Sequence, residues 1–165
     1  MAAHKIPIRY KPDADGKIAQ VAARVIREEK RFKPLVYAKI LYCFRRPPQY
    51  DKDGEMIVAK ARRLPPMLRD LFKYDFIIEV ASSIWKHVNK RGRYRILWHE
   101  LRHCQIELDD ALKPVVDDCG RIKIHLDPHD LVIKTFKEEI IKFGAQGHER
   151  AIAKFLRRQA RRKTV

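Results

Sequence analysis

The chain has 165 residues, 45% of them hydrophobic and 35% charged, and its 37 basic residues against 21 acidic ones give a formal net charge of +16. That length suits one domain with a substantial core and leaves no room for a second catalytic domain. Cys43, Cys104 and Cys119 form no C-x-x-C pair, which speaks against a disulfide framework or a zinc ribbon and for a reducing compartment; no apolar run approaches membrane-spanning length, so a cytoplasmic protein without a membrane partner is expected, and the positive charge points to nucleic acid.

Residues 1–14 carry Pro and Asp breakers and little periodicity, and read as an extended arm. From Asp15 or Gly16, the apolar Ile18, Val21, Ala22, Val25 and Ile26 recur at three and four, which predicts a helix ending near Lys30-Arg31. The stretch Leu35 to Phe44, rich in β-branched and aromatic residues and stopped by Pro47-Pro48, holds a strand. A turn at Asp51 to Gly54 precedes a second strand at Met56 to Ala61, closed by Pro65-Pro66, and Asp75 to Val80 makes a third. Ser82 or Ser83 then caps a helix carrying Ile84, Trp85 and Val88, and Asn89 to Gly92 reads as a loop.

No Gly or Pro occurs from Arg93 to Lys113, and Leu97, Leu101, Cys104 and Leu108 at helical spacing predict a buried helix there. Beyond the turn at Asp117 to Gly120, the alternation of Ile122, Ile124 and Leu126 suggests a short extended segment with His125 on its solvent side. Asp127 as N-cap, Pro128 at the first helical position and Asp130 three residues after the cap predict a helix running to about Phe143 and stopping at Gly144. The sum is a single α+β domain over residues 15–145, a small sheet packed against helices, followed by a basic C-terminal helix over 146–165.

Within the buried helix, His99-Glu100-Leu101-Arg102-His103 is an uninterrupted H-E-x-x-H. Residues four apart share one helix face, so the two imidazoles can meet one metal ion, and a carboxylate one residue past the first ligand can reach a water on that ion as general base. The plain alternative is a core helix whose histidines are satisfied by hydrogen bonds. A catalytic zinc usually takes three protein ligands and leaves a fourth position open, so a third donor is needed downstream. The candidates are His125, His129, Asp130, Glu138, Glu139 and His148. His129 ranks first because it begins the stripe continued by Ile133, Phe136, Ile140 and Phe143; Asp130 is either the alternative ligand or a residue that holds a ligand's other nitrogen. Glu138 and Glu139, set among Lys134, Lys137 and Lys142, read as a solvated face.

The strands, the His99 to Cys104 helix and Pro128-His129-Asp130 ahead of Phe136 and Gly144 together resemble the phage metallopeptidases, a zincin family close to the SprT-like proteases, over roughly residues 15 to 145. The resemblance implies a zincin fold in which His99 and His103 are zinc ligands, Glu100 is the catalytic base and His129 is the third ligand. It also implies a protein or peptide substrate, in the host cytoplasm if the protein is phage-encoded. SprT-like proteins often carry a Cys-rich zinc ribbon, whereas here the C-terminus contains no Cys and is basic.

Arg150, Lys154, Arg157, Arg158, Arg161, Arg162 and Lys163 occur without an acidic residue among them, while Ile152, Phe155 and Leu156 supply an apolar side. Such a helix can dock by one face and offer cations to phosphates by the other. Arg45-Arg46, Arg62-Arg63 and Arg91 with Arg93 add positive charge elsewhere. The expected function is zinc-dependent peptide hydrolysis, on proteins associated with nucleic acid, with Tyr94, Arg102 and His125 as unranked candidates for stabilising the oxyanion. The alternative is a nucleic-acid-binding protein with a structural zinc and no turnover; Glu100, which a structural site does not require, argues against it.

Overall fold

The computed structural model describes residues 7–129 and 137–144. Two compact units follow each other along the chain, Met1–Asp127 and Pro128–Val165. The first is mixed α+β. It contains β1 (Arg9–Pro12), α1 (Lys17–Glu28), a 3-10 segment (Lys30–Tyr37), β2 (Ile40–Arg46), a small hairpin of β3 (Gln49–Tyr50) and β4 (Met56–Ile57), and β5 (Ala59–Arg63). Then come α2 (Pro66–Phe72), β6 (Phe76–Ala81), α3 (Ser82–His87), α4 (Lys90–His103), and a two-stranded ribbon of β7 (Cys104–Ile106) and β8 (Ile124–Leu126). In the second unit α5 (Lys137–Phe143) is followed by Gly144 at φ +81°, the left-handed C-terminal stop that glycine allows.

The first helix starts where its apolar spacing places it, but its N-terminus is satisfied from further upstream. The Asp13 carboxylate accepts the backbone N–H groups of Lys17 (2.9 Å), Ile18 (2.7 Å) and Ala19 (2.9 Å), three of the donors that a helix start leaves without an intrahelical partner. Ile18, Ala22 and Val25 are fully buried, as the periodicity requires. The strand expected within Leu35 to Phe44 begins only at Ile40, because Lys30–Tyr37 winds as a 3-10 segment that buries Phe32 and Leu35, three residues apart and on one side of so tight a turn. Pro65-Pro66 does end a strand, yet it also opens α2, with Pro66 at a position where a missing N–H costs nothing. Ser82 opens α3 rather than capping it; Ala81 is the N-cap.

The main sheet has the order β1-β2-β6-β5, with β2 and β6 parallel and the outer pairs antiparallel. Residues 9–12, within the extended arm, thus add an edge strand to β2. Ile78 of β6 is flanked by Tyr42 and Ala61, and the fully buried Phe76, Ile78 and Val80 lie on one face. Helices α1 and α4 contact each other, and Leu97, Trp98 and Leu101 of α4 are buried, with Trp98 edge-on to Phe32 at 5.6 Å between centroids. On the opposite face of β6, Glu79 is flanked by Cys43 and Lys60 and is buried. Its carboxylate lies 3.7 Å from the buried Arg45 guanidinium and 3.2 Å from that of Arg62. Arg45 also donates to the Gln49 side chain and the Ile57 carbonyl, which ties the β3–β4 hairpin to the sheet.

Candidate metal centre

Helix α4 begins at Lys90, inside the stretch that reads as a loop. Asn89 is its N-cap, with the side-chain oxygen accepting the Gly92 N–H at 2.9 Å, so Asn89 to Gly92 is the first turn of the helix. Gly92 makes close approach possible: a Cβ there would lie 2.1 Å from Val88 Cγ1.

The other end of the helix also differs from the apolar spacing. The run of Leu97, Leu101, Cys104 and Leu108 predicts a helix beyond His103, but α4 stops at His103 and the chain passes directly into β7. Cys104 adopts an extended conformation, is buried, and its thiol donates to the Glu100 carbonyl at 3.6 Å; burial pushes that thiol well above its ordinary pKa. Strand β7 pairs with β8 antiparallel, Cys104 opposite Leu126 and Gln105 opposite His125. The two strands are joined by turns organised by Asp109 and Asp117, whose carboxylates accept backbone N–H groups two and four residues on.

This ribbon brings Asp127 to the end of the metal-motif helix. Its N–H donates to the His103 carbonyl at 2.8 Å, and its own carbonyl lies 2.6 Å from His103 Nδ1. A carbonyl can only accept, so Nδ1 carries the proton and Nε2 keeps the lone pair that a metal needs. Burial holds the His103 imidazole below its ordinary pKa, the neighbouring His99 and Arg102 act in the same direction, and the Asp127 carbonyl partly offsets them. The His99 and His103 rings are 5.1 Å apart between centroids and steeply inclined. His129 follows Asp127 by two residues. One ligand atom from each of His99, His103 and His129 lies within 4.8 Å of the others, and all three side chains are half-buried. Three histidines so placed could bind a metal ion.

Neither His125 nor the Glu138 and Glu139 pair belongs to this group among the described residues. His125 is exposed, as its place in the alternation predicts, and its Nε2 lies 3.3 Å from Asp127 Oδ1. Asp130, His148 and the basic residues from Arg150 to Lys163 lie outside the described residues. The Asp127 carboxylate is engaged by Arg102 Nη1 at 2.5 Å and by His125; the helix start it is expected to cap runs into residues 130–136, outside the described residues. Its backbone role was invisible in the sequence, because any residue type has a carbonyl and only the β7–β8 pairing delivers this one to His103.

The profile of the family described as putative phage metallopeptidase matches residues 13–159. The chain belongs to that family. No curated protein and no solved structure matches it significantly. Membership in a metallopeptidase family implies a metal, commonly zinc, and a protein substrate, and the three-histidine group supplies donors of the right chemistry for one. The family match extends over the stretch that contains all three histidines. Among the described residues of this member of the family, no helix is long and apolar enough to cross a membrane.

Several cations that look free in the sequence are engaged. Arg45 is buried against Glu79, Arg62 reaches the same carboxylate, Arg63 donates to the Ile124 carbonyl at 3.2 Å, and Arg46 donates to Ser82 Oγ at 2.7 Å. Arg93 lies over the Trp85 ring and donates to the Trp85 carbonyl.

Proposed function

We propose that the protein is a zinc peptidase of zincin type, in which His99, His103 and His129 hold the metal and Glu100 is the general base. The observation that carries this reading is the close approach of three imidazoles in a chain of a metallopeptidase family. Neutral nitrogen donors suit zinc, and three protein ligands leave a fourth position for water and substrate. Zinc held by these residues would supply Lewis-acid chemistry, polarising a scissile carbonyl and lowering the pKa of a water toward neutrality.

Glu100, one residue past His99 and only 6% exposed, would take the proton from the attacking water and deliver it to the leaving amine. His103 is oriented by the Asp127 carbonyl. Of the three candidates for the oxyanion, Tyr94 donates its hydroxyl to Glu29 and Arg102 is bound to Asp127, whereas His125 is exposed with a carboxylate beside its Nε2. All three are thus engaged, and none ranks above the others. The catalytic domain spans 15–145, with Asp130 as an alternative ligand. Residues 146–165 contact nucleic acid through Arg150, Lys154, Arg157, Arg158, Arg161, Arg162 and Lys163, so that cytoplasmic proteins associated with nucleic acid are the substrates; the formal charge of +16 supports that part.

The test is Glu100→Gln. The variant is expected to keep about one zinc per chain, as a single site requires, and to lose about 100- to 10,000-fold in hydrolysis of a protein substrate. Equal rates in wild type and variant would remove Glu100 from the mechanism. The second reading, a structural zinc in a nucleic-acid-binding protein, is favoured by the charge. It predicts no hydrolysis by the wild type, together with DNA binding whose salt dependence flattens on charge reversal at Arg157, Arg158, Arg161 and Arg162.

A further inference from the structure

Two consecutive residues at the end of α4 grip one residue at the end of β8. His103 takes the backbone of Asp127 at two points, donating from Nδ1 to its carbonyl (2.6 Å) and accepting its N–H on the His103 carbonyl (2.8 Å). Arg102 takes the side chain, Nη1 to Oδ2 at 2.5 Å. The Arg102 and Asp127 side chains are only 14% and 29% exposed, so this is a charge-assisted hydrogen bond partly withdrawn from water, stronger than a surface ion pair. Arg102 is itself anchored, since its carbonyl accepts the Gln105 side-chain amide at 2.9 Å. The β7–β8 ladder fixes the chain on the N-terminal side of Asp127, and Pro128 restricts its backbone from the other.

We infer that Arg102 and Asp127 are positioning residues for the metal centre: their ion pair locks the Asp127 carbonyl in place, and that carbonyl holds the His103 ring in the Nδ1–H tautomer, with Nε2 unprotonated. The inference rests on the reading of His99, His103 and His129 as ligands, and it assigns a task to one of the two residues that the H-E-x-x-H pattern leaves undefined. A ring that must give one nitrogen to a metal can rotate or exchange tautomers unless the other nitrogen is held, and a carbonyl holds it only if its own peptide cannot swing. Arg102 prevents that swing from the side-chain end of the same residue. Losses of about 10- to 100-fold in metal affinity follow the removal of such outer contacts.

The experiment uses the full chain, first freed of metal. Zinc affinity is measured by competition with a chromophoric chelator for the wild type, Arg102→Ala, Arg102→Lys, Asp127→Asn and the double variant Arg102→Ala/Asp127→Asn. Arg102→Ala and Asp127→Asn are each expected to weaken zinc by about tenfold or more, with Arg102→Lys between them and wild type. The double variant is expected to match the weaker single variant, because the two residues act as one pair. In metal-free protein, nitrogen-15 spectra of the imidazoles are expected to show His103 as the Nδ1–H tautomer in the wild type and as a mixture in Arg102→Ala. A merely structural pair would lower the melting temperature and leave both tautomer and zinc affinity unchanged. If Arg102→Ala does not fold, Arg102→Lys and Asp127→Asn carry the same comparison. Zinc affinity within about twofold of wild type in folded variants would overturn the inference against the losses expected for outer contacts. A wild type that binds no zinc would instead overturn the metal centre itself.

Discussion

Glu79→Ala removes the only carboxylate that the structure places against the Arg45 guanidinium among the described residues. The two groups are 3.7 Å apart, with side-chain exposures of 0% for Arg45 and 2% for Glu79. At that separation and an effective dielectric constant of about 20, two unit charges attract by roughly 4.5 kcal/mol. Desolvating both charges offsets much of that in the native protein, but the variant keeps the desolvated arginine and loses the compensation. Breaking one side of a buried pair therefore costs about 3–5 kcal/mol, a large share of the roughly 5–15 kcal/mol that holds a domain folded. Arg62 contributes little to this sum, since its side chain is 46% exposed and stays hydrated in the variant.

Urea unfolding followed by far-ultraviolet circular dichroism measures the loss. The double variant Arg45→Met/Glu79→Leu, which removes both charges, is expected to recover part of the stability; the shortfall reports the bonds from Arg45 to Gln49 and to the Ile57 carbonyl that tie the hairpin down. A cost below about 1 kcal/mol for Glu79→Ala, or a double variant no more stable than the single one, would refute the reasoning, because surface pairs behave in that way.

Gly92→Ala should destabilise the protein although alanine is the better helix former by about 1 kcal/mol. The added Cβ meets Val88 Cγ1 at 2.1 Å, and overpacking of that kind costs about 1–3 kcal/mol. Val88→Ala in the same chain should restore the gain from alanine, as thermal melts would show; a single variant more stable than wild type would mean that Val88 yields freely. In metal-free protein, the lowered His103 pKa has a definite sign. The folded state holds the ring neutral where the unfolded chain would protonate it, so the contribution to stability is present above the unfolded value of about 6.5 and is lost as pH falls below it. Melts of wild type and His103→Gln in the presence of a chelator should therefore converge as pH drops from about 7.5 to 5, a range chosen to bracket that value. A difference that widens on acidification would contradict the burial argument.

The part of the proposed site that the sequence offers directly is the part carried by side-chain identity and helix period. His99, Glu100 and His103 are defined by their spacing alone, and His129 stands at the head of an apolar stripe two residues past a cap signal. The β7–β8 ribbon was only half legible. The alternation of Ile122, Ile124 and Leu126 marks one strand, but its partner at Cys104–Ile106 lies within a run of four apolar positions at helical spacing, and that period continued by coincidence past the point where the helix stops. Local pattern could not reveal the stop, because what ends α4 at His103 is pairing with a strand some twenty residues away.

Charge was misleading in a similar way. The Arg45-Arg46 and Arg62-Arg63 doublets resemble a cationic surface when counted along the chain, yet Arg45 is buried on Glu79 and Arg63 reaches the Ile124 carbonyl. By itself the sequence determined the residue types able to ligate a metal, the helix that spaces two of them and the net charge, all of which follow from composition and short-range order. Only the tertiary structure decided that Asp127 offers its carbonyl to His103 and its carboxylate to Arg102. A backbone carbonyl has no signature in the sequence, and its direction is set by the register of the two strands that carry it there.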